Sequence, residues 1–305
     1  MNKKVKIFVM VWNGFDITCK CLNSLFNINY PNYDILLLDN GSEHDMTKEY
    51  LKKFPQLQII RLKKNIGFTG GSNFAIKHCI RDDPDFICFV SNDVEVDPNF
   101  INEMLNVADM NPEIGIVSPK IYYYDHKNSN ILWWDGGRFD FLKAKGVHIN
   151  FKKKDSFKNI LPREITFFTG CVYMARKDFF EKVGFFDDDY FNYSEDADLS
   201  IRAIGKKIKI YYAPKAIVYH KESFDIKNNK GKPYQIYYLV RNNLLIVKKH
   251  YALYYKIPVF IYLLFKYFCY NSLYYLVSFD KKSFKSIYIA VFDYIRGNFG
   301  RKKNL

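Results

Sequence analysis

Residues 5–39, VKIFVMVWNGFDITCKCLNSLFNINYPNYDILLLD, decide the fold. Two short, nearly unbroken apolar runs, 5–11 and 34–39, flank a segment whose apolar residues recur at helical spacing, and the runs read as buried parallel strands. The same alternation continues. Further strands are expected at 57–61, 86–90 and 114–117, with helices over 16–27 (opened by an Asp16 cap), 45–54, 70–80 and 98–110. Strand and helix in repeated succession imply an α/β sheet with right-handed crossovers, in which ligands bind beyond the carboxyl ends of the strands. Asp39, Asn92 and Asp93 fall at those ends. The start of the chain is basic and then apolar, as a signal peptide would be, but the apolar run stops at Trp12 and Asn13-Gly14 follow, so it reads as the first strand.

After residue 120 the rhythm becomes hairpin-like. Residues 135–138 read as a turn, 152–154 as a solvated charge run, 165–175 as a strand, and 208–212 and 216–219 as strands leading to His220. These extend the sheet with mixed strands. From residue 233 the chain is helical, aromatic and basic, which divides it into a domain over 1–232 and an extension over 233–305.

Charge sharpens that division. Residues 1–220 hold 30 Lys+Arg against 28 Asp+Glu and residues 221–305 hold 16 against 4, so nearly all of the +14 excess sits in the last quarter. A basic tail suits nucleic acid or an anionic membrane face. Between 250 and 280 the lone charges before Asp280 are Lys256 and Lys266, and the uncharged runs 257–265 and 267–279 fall short of the roughly 20 residues of a spanning helix. Pro258 is expected to break the segment further. Aromatic residues with flanking lysines fit helices lying in a membrane interface. The six scattered cysteines match no metal or redox spacing and suggest a reducing compartment.

The chemistry concentrates in Tyr193-Ser194-Glu195-Asp196-Ala197-Asp198-Leu199-Ser200-Ile201-Arg202, which places three carboxylates in the first turn of a helix expected at 195–205. Free backbone N–H groups and the helix dipole favour ionised carboxylates there, so one of them is a candidate general base. Asp198 and Arg202, four apart, read as a surface ion pair. Glu195 and Asp196 have no such partner, and adjacent helical residues diverge by about 100°, so one of the two is expected to face the site.

Taken in order, these residues resemble family 2 glycosyltransferases of the GT-A fold, in a rhamnosyltransferase-like branch, over roughly residues 4–245. Val9-Met10-Val11-Trp12-Asn13 is similar to the family's opening strand, and Leu37-Leu38-Asp39-Asn40-Gly41-Ser42 to its second-strand motif, whose Asp meets the nucleotide base. Asn65-Ile66-Gly67-Phe68-Thr69-Gly70-Gly71-Ser72-Asn73 resembles the branch's glycine-bearing segment. The metal motif departs from the family pattern: Asp93 matches its second aspartate, whereas Ser91 replaces the first, and Glu95 is a possible substitute. Thr169-Gly170-Cys171 resembles the loop flooring the pocket, Glu195-Asp196-Ala197-Asp198 the motif carrying the base, and His220 and Arg241-Asn242 further matching positions.

The resemblance implies an inverting transfer from a dTDP- or UDP-linked sugar, rhamnose foremost, to a lipid-linked or polymeric glycan at the cytoplasmic face of the membrane. It makes Asp196 the base with Glu195 beside it, and assigns a Mg²⁺ or Mn²⁺ ion to Asp93 with His220. Donor contacts fall to Asn13, Asp39, Asn65, Gly67, Gly71, Asn73, Asn92, Asp93, Gly170, Cys171 and Arg241, the glycines letting the backbone approach the nucleotide. Other classes fit less well. A dinucleotide oxidoreductase or a sugar nucleotidyltransferase would want a glycine-rich loop after the first strand, where Val11-Trp12-Asn13-Gly14 stands instead. Ser91 leaves room for an inactive carbohydrate-binding protein of the same fold. Nucleic-acid binding is disfavoured because residues 1–220 are almost neutral.

Overall fold

The computed structural model describes residues 2–124, 130–157, 160–221 and 232–302. Its first part alternates strand and helix: β1 (Val5–Val11), α1 (Phe15–Leu25), β2 (Tyr33–Asp39), α2 (Thr47–Lys53), β3 (Gln58–Arg61), α3 (Gly67–Ile80) and β4 (Phe86–Ser91). β4, β1, β2 and β3 lie side by side and parallel. Both faces of the central strands are covered, which is why β1, β2 and β4 read as continuous apolar runs. Lys6 is the exception. Its stem is buried in β1, and its ammonium emerges at Asp82 (2.6 Å) and Gln58 Oε1 (2.8 Å).

Two helix starts differ from expectation for the same steric reason. Gly14, left-handed at φ 80°, precedes α1, and Asp16 lies in the first turn rather than at the cap. Gly67 at φ 82° begins α3 three residues early, and a Cβ there would stand 2.4 Å from the Phe191 ring.

The chain continues through β5 (Val94–Val96), α4 (Phe100–Ala108), β6 (Ile114–Tyr123), β7 (Leu132–Trp134), a hairpin of β8 (Gly137–Asp140) and β9 (Lys145–His148), β10 (Arg163–Ile165), β11 (Val172–Arg176), α5 (Lys177–Val183), α6 (Glu195–Gly205) and β12 (Lys209–His220). The sheet order is β10-β12-β6-β11-β4-β1-β2-β3, and β11 runs antiparallel to both its neighbours, so the sheet is mixed. The strand expected over 165–175 is two strands separated by the loop 166–171. Conversely, 208–212 and 216–219 belong to one strand, whose register against β6 shifts between Ala213 and Ile217. Pro214, which cannot donate to a ladder, sits at that irregularity.

The last part is helical: α7 (Lys232–His250), α8 (Leu253–Leu264), a π-helical turn at Phe265–Asn271, α9 (Ser272–Val277) and α10 (Lys281–Arg296). α8 runs through Pro258 instead of breaking there. α7 is no loose appendage. Tyr237, Tyr238, Leu244, Leu245 and Ile246 are fully buried and join the same apolar core as the sheet. α10 packs along α7, with Tyr237 Oη donating to Asp293 Oδ2 at 2.7 Å. Among the described residues no helix is long and apolar enough to cross a membrane.

Candidate active site

The carboxyl ends of β1 and β2 open into a cavity of about 410 Å³, lined by Asn13, Gly14, Asp39, Ser42, Glu43 and Tyr50 among others. Asn13 turns the chain out of β1 in a left-handed conformation, φ 62°. Its backbone N–H donates to Ser42 Oγ (2.8 Å), and its side-chain oxygen accepts from the N–H of Glu43 (3.1 Å). The Asp39 carboxylate accepts from the N–H of Ser42 (2.8 Å) and from Arg61 Nε (3.0 Å). Ser42 and Arg61 thus fix two of the expected donor residues. Arg61 went unnoticed in the sequence because it ends an ordinary strand.

A chain of hydrogen bonds leads from this cleft to Asp93. Thr18 Oγ1 donates to the carbonyl of Gly14 (2.8 Å) and accepts from Asn92 Nδ2 (2.9 Å). Next to Asn92, the Asp93 carboxylate accepts from Ser91 Oγ (2.5 Å) and faces His220 Nε2 (3.2 Å). β12 pairs with β5 to bring that histidine across the sheet. Burial alone would raise the Asp93 pKa, but the charge and hydrogen bond of His220 and the Ser91 hydroxyl outweigh it and hold the carboxyl below its ordinary value. Ser91, where the family pattern has an aspartate, orients the remaining carboxylate.

The donor set available to a divalent cation is small. Among the described residues no group of three His, Cys, Asp or Glu side chains converges. Glu95 does not join Asp93, because its carboxylate is taken by Lys221 at 2.7 Å. One carboxylate and one imidazole still fit a hard cation that draws its remaining ligands from water and from substrate phosphates. Among the described residues His220 Nδ1 is buried without a hydrogen-bond partner, and Trp133 packs edge-on against the ring at 4.5 Å.

The carboxylate pair at the start of α6 is joined to Asp93 through the loop before β11. The N–H of Ser91 donates to the carbonyl of Cys171 (2.9 Å), and the N–H of Gly170 donates to Asp196 Oδ2 (3.0 Å). Asp196 Oδ1 accepts from the N–H of Ala197 at 2.8 Å. A Cβ on Gly170 would lie 3.5 Å from Asp196 Oδ2 and 3.6 Å from Glu195 Oε1, so the glycine sits between the two carboxylates. Both line a second cavity, of about 520 Å³, which corrects the expectation that helical divergence would turn one of them away. Glu195 and Asp196 open α6, and the cavity borders that end of the helix widely enough to meet both side chains despite their divergence.

Their electrostatics differ. Burial raises the Asp196 pKa to about 6, restrained by the N–H groups of Gly170 and Ala197. Burial and the neighbouring Asp196 charge push Glu195 well above the ordinary carboxylate value, and its Oε2 has no hydrogen-bond partner among the described residues. The pair is thus unequal: the neutral form is favoured more strongly at Glu195 than at Asp196, where two backbone N–H groups support the carboxylate. Asp198 is a different case. Burial would raise it, but His250 (2.7 Å) and Arg202 (2.8 Å) hold it below its ordinary value. The Asp198–Arg202 pair forms as expected yet is not a surface pair, since the Asp198 side chain is 1% exposed.

Several expected donor residues face protein instead. Gly71 packs on β1, where a Cβ would come within 2.4 Å of Met10 Sδ, and Gly67 makes room for Phe191. Asn73 clamps the segment before α6: its Nδ2 donates to the carbonyl of Phe186 (2.8 Å), and its Oδ1 accepts from the N–H of the same residue (2.9 Å). Asn65 Oδ1 accepts from the N–H of Gly67 (2.8 Å) and so helps begin α3. Cys171 is buried behind the loop.

Arg241 is the clearest correction. It is fully buried, and its guanidinium donates to the carbonyls of Asp189 (3.0 Å), Tyr190 (2.9 Å) and Gly300 (2.7 Å) and to Asn242 Oδ1 (2.9 Å). Asn242 Nδ2 in turn donates to the carbonyls of Tyr190, Asn192 and Tyr193 at 3.0, 2.8 and 2.6 Å. These bonds hold a segment in which Phe191, Tyr193 and Ser194 all have φ between 62° and 69°, directly ahead of the carboxylates. Left-handed non-glycine residues in such number persist where their surroundings fix them. Arg241 and Asn242 position α6 rather than touch a donor.

Residues 6–184, more than half of the chain, match the family described as Glycosyl transferase family 2. The chain belongs to glycosyl transferase family 2. This family 2 chain is 24% identical over 230 residues to the O-antigen biosynthesis protein RfbC of Myxococcus xanthus, covering 72% of its own length and 17% of that protein. It is 24% identical over 208 residues to N-acetylglucosaminyl-diphospho-decaprenol L-rhamnosyltransferase of Mycobacterium tuberculosis (61% of the chain, 66% of that protein). With dTDP-rhamnosyl transferase RfbF of Shigella flexneri the identity is 23% over 261 residues, covering 83% and 82%. The chain thus spans 17% and 66% of the first two relatives. Among solved structures, GalNAc-T7 with UDP, GalNAc and Mn²⁺ superposes with a TM-score of 0.61 at 13% identity, over 80% of this chain and 51% of that one. The mannosyltransferase PcManGT of Pyrobaculum calidifontis, with GDP-Man and Mn²⁺, gives 0.60 at 12%, over 95% and 74%. The fold of this family 2 member is of the GT-A type, a mixed sheet flanked by helices with a helical extension.

Proposed function

We propose that this chain transfers a sugar, with inversion, from a nucleoside diphosphate donor to a hydroxyl of a lipid-linked or polysaccharide acceptor in cell-surface glycan synthesis. The observation that carries the reading is the continuous path from the Asn13–Asp39 cleft through Asn92, Asp93, Ser91 and Gly170-Cys171 to Asp196. It sets a nucleotide-sized cleft and an ionised base on either side of one narrow floor. The names of the Shigella and mycobacterial relatives support rhamnose, and the Shigella name a dTDP donor, while UDP, the alternative donor nucleotide, is bound in the GalNAc-T7 structure.

In this mechanism Asn13 and Asp39 hold the nucleoside. Asp196 takes the proton of the acceptor hydroxyl as its oxygen bonds to the anomeric carbon, and the bond from that carbon to the donor's phosphate oxygen breaks, its electron pair leaving with the nucleoside diphosphate. One base and one displacement give inversion. Burial and the Asp196 charge favour the neutral form of Glu195, which spares the site a second negative charge beside the base. Asp93 and His220 would hold a Mg²⁺ or Mn²⁺ ion, which screens the charge developing on the departing diphosphate.

Asp93→Ala tests the metal assignment. The variant is expected to lose at least about tenfold in UDP or dTDP affinity and all enhancement by Mn²⁺. Thermal shift with each nucleotide, with and without Mn²⁺, reads both effects, since binding to the folded state raises its apparent stability. Nucleotide binding and turnover indifferent to EDTA and to this substitution would remove the ion from the mechanism.

The C-terminal helices bring the site to an anionic membrane surface in this reading. Leu253, Ile257, Ile261 and Phe265, four residues apart, are each at least 60% exposed and form one apolar row on the basic extension. Anionic lipid attracts each nearby Lys or Arg by about 1 kcal/mol and salt weakens it, while apolar insertion persists. The full chain should sediment with phosphatidylglycerol vesicles, be partly released by high salt, and lose binding in an Ile257→Asp/Ile261→Asp variant. Sedimentation unaffected by the double substitution, or absent in the parent chain, would leave the row without a membrane role.

A further inference from the structure

The cavity that holds Asp196 is walled in part by the C-terminal helices, and lysines from those helices and from the β8–β9 hairpin border it. Lys145, from the β8–β9 hairpin, and Lys266, from the π-helical turn, both line it. Neither makes an ion pair among the described residues, whereas Lys232, which lines the same cavity, pairs with Asp280 at 3.7 Å. Burial, then the charges of Lys145 and Lys143, push the Lys266 pKa down to about 8, and the carboxylates that line the same cavity, Glu195 and Asp196, pair with neither lysine among the described residues. Two amines drawn together without a counterion make a site for an anion, and lysine serves phosphate well as a point charge.

The π turn supplies a second, independent indication. Its wider winding sets Lys266, Tyr267 and Asn271 on the cavity side. On its outer side Phe265 and Tyr270 are 65% and 71% exposed and continue the apolar row of α8. One helical rod thus presents charge to the reaction cavity and hydrocarbon to the surroundings. We infer that Lys145 and Lys266 bind the diphosphate of a lipid-linked acceptor, so that the sugar borne on it extends toward Asp196 while the lipid chain leaves along the outer row.

This inference rests on the reading of Asp196 as the base of a glycosyltransferase, and the test separates the two. Farnesyl diphosphate, below its micellar concentration, is titrated calorimetrically into the full chain with UDP or dTDP filling the donor cleft. Expected is saturable binding that falls at least tenfold in Lys145→Gln/Lys266→Gln and stays within about threefold of the parent in Lys145→Arg/Lys266→Arg, while farnesol does not bind. Equal binding in the glutamine variant, no binding by the parent, or equal binding of farnesol overturns the proposal. Competition by inorganic pyrophosphate or by a poly(glycerol phosphate) as strong as that of farnesyl diphosphate would assign the site to free or polymeric phosphate and overturn the lipid assignment. Nucleotide protection, measured on the same samples, reports the donor site. If it is present while the lysine exchange has no effect, the inference fails alone; if the parent binds no nucleotide, the glycosyltransferase reading fails with it.

Discussion

Asp196→Asn is expected to lower turnover by about 10² to 10⁴ while nucleotide binding and fold persist. The amide keeps the size of the carboxyl group and its contact region with Gly170 and Ala197, but it takes no proton from an acceptor hydroxyl. In the parent enzyme, activity should fall as pH drops through about 6, where Asp196 becomes protonated, and that limb should vanish in the variant. Stability moves the opposite way. A carboxyl whose folded pKa is raised binds its proton more tightly when folded, so its contribution to stability grows as pH falls through that value, and in the Asn variant this pH dependence should be absent, with one of the two N–H bonds from Gly170 and Ala197 lost. Asp198→Asn is the contrast, because a lowered pKa contributes stability above the ordinary carboxylate range that is lost on acidification. Near-normal turnover of Asp196→Asn with a saturating acceptor would take this residue out of the mechanism.

Arg241→Leu is expected to destabilise the chain by about 3–5 kcal/mol, and to reduce activity in whatever fraction stays folded. The substitution strands the carbonyl of Gly300, removes one of the two donors to that of Asp189, and removes a cation centred 4.8 Å from the Tyr238 ring. Chemical denaturation beside Asp93→Ala gives the comparison. An Arg241→Leu protein within about 1 kcal/mol of the parent that nevertheless loses nucleotide affinity would return this arginine to the donor site.

The sequence exposed what depends on period and order. β1 to β4 and α1 to α4 were legible because buried parallel strands are continuously apolar and helices alternate with them. The carboxylates of α6 stood out because three acids in one turn need a reason. Less legible was everything set by contacts distant in sequence. A glycine in Asn65–Asn73 looks the same whether its missing Cβ admits a ligand or, as at Gly71, the sulfur of Met10. Arg241 looked like a phosphate ligand because nothing local shows that its partners are carbonyls 51, 52 and 59 residues away. Lys266 did leave a trace, as a lone charge in an aromatic stretch, but its meaning needed Lys145 beside it.

The carbonyl of Gly300 bonded to Arg241 has a consequence for biosynthesis. The N–H of Gly300 also donates to the carbonyl of Asp189 (2.8 Å), and Arg301 Nη1 to the carbonyl of Asn65 (3.0 Å), so residues 300–301 fasten both the segment before α6 and the start of α3. The sheet, by contrast, is complete once β12 ends at His220. A ribosome adding about 5–20 residues per second needs roughly 4–16 seconds to make the intervening 80 or so residues. During that interval the sheet stands without the bonds that fasten the segment before α6, so under the proposed function the nascent chain would hold its donor cleft before its base is fixed in place.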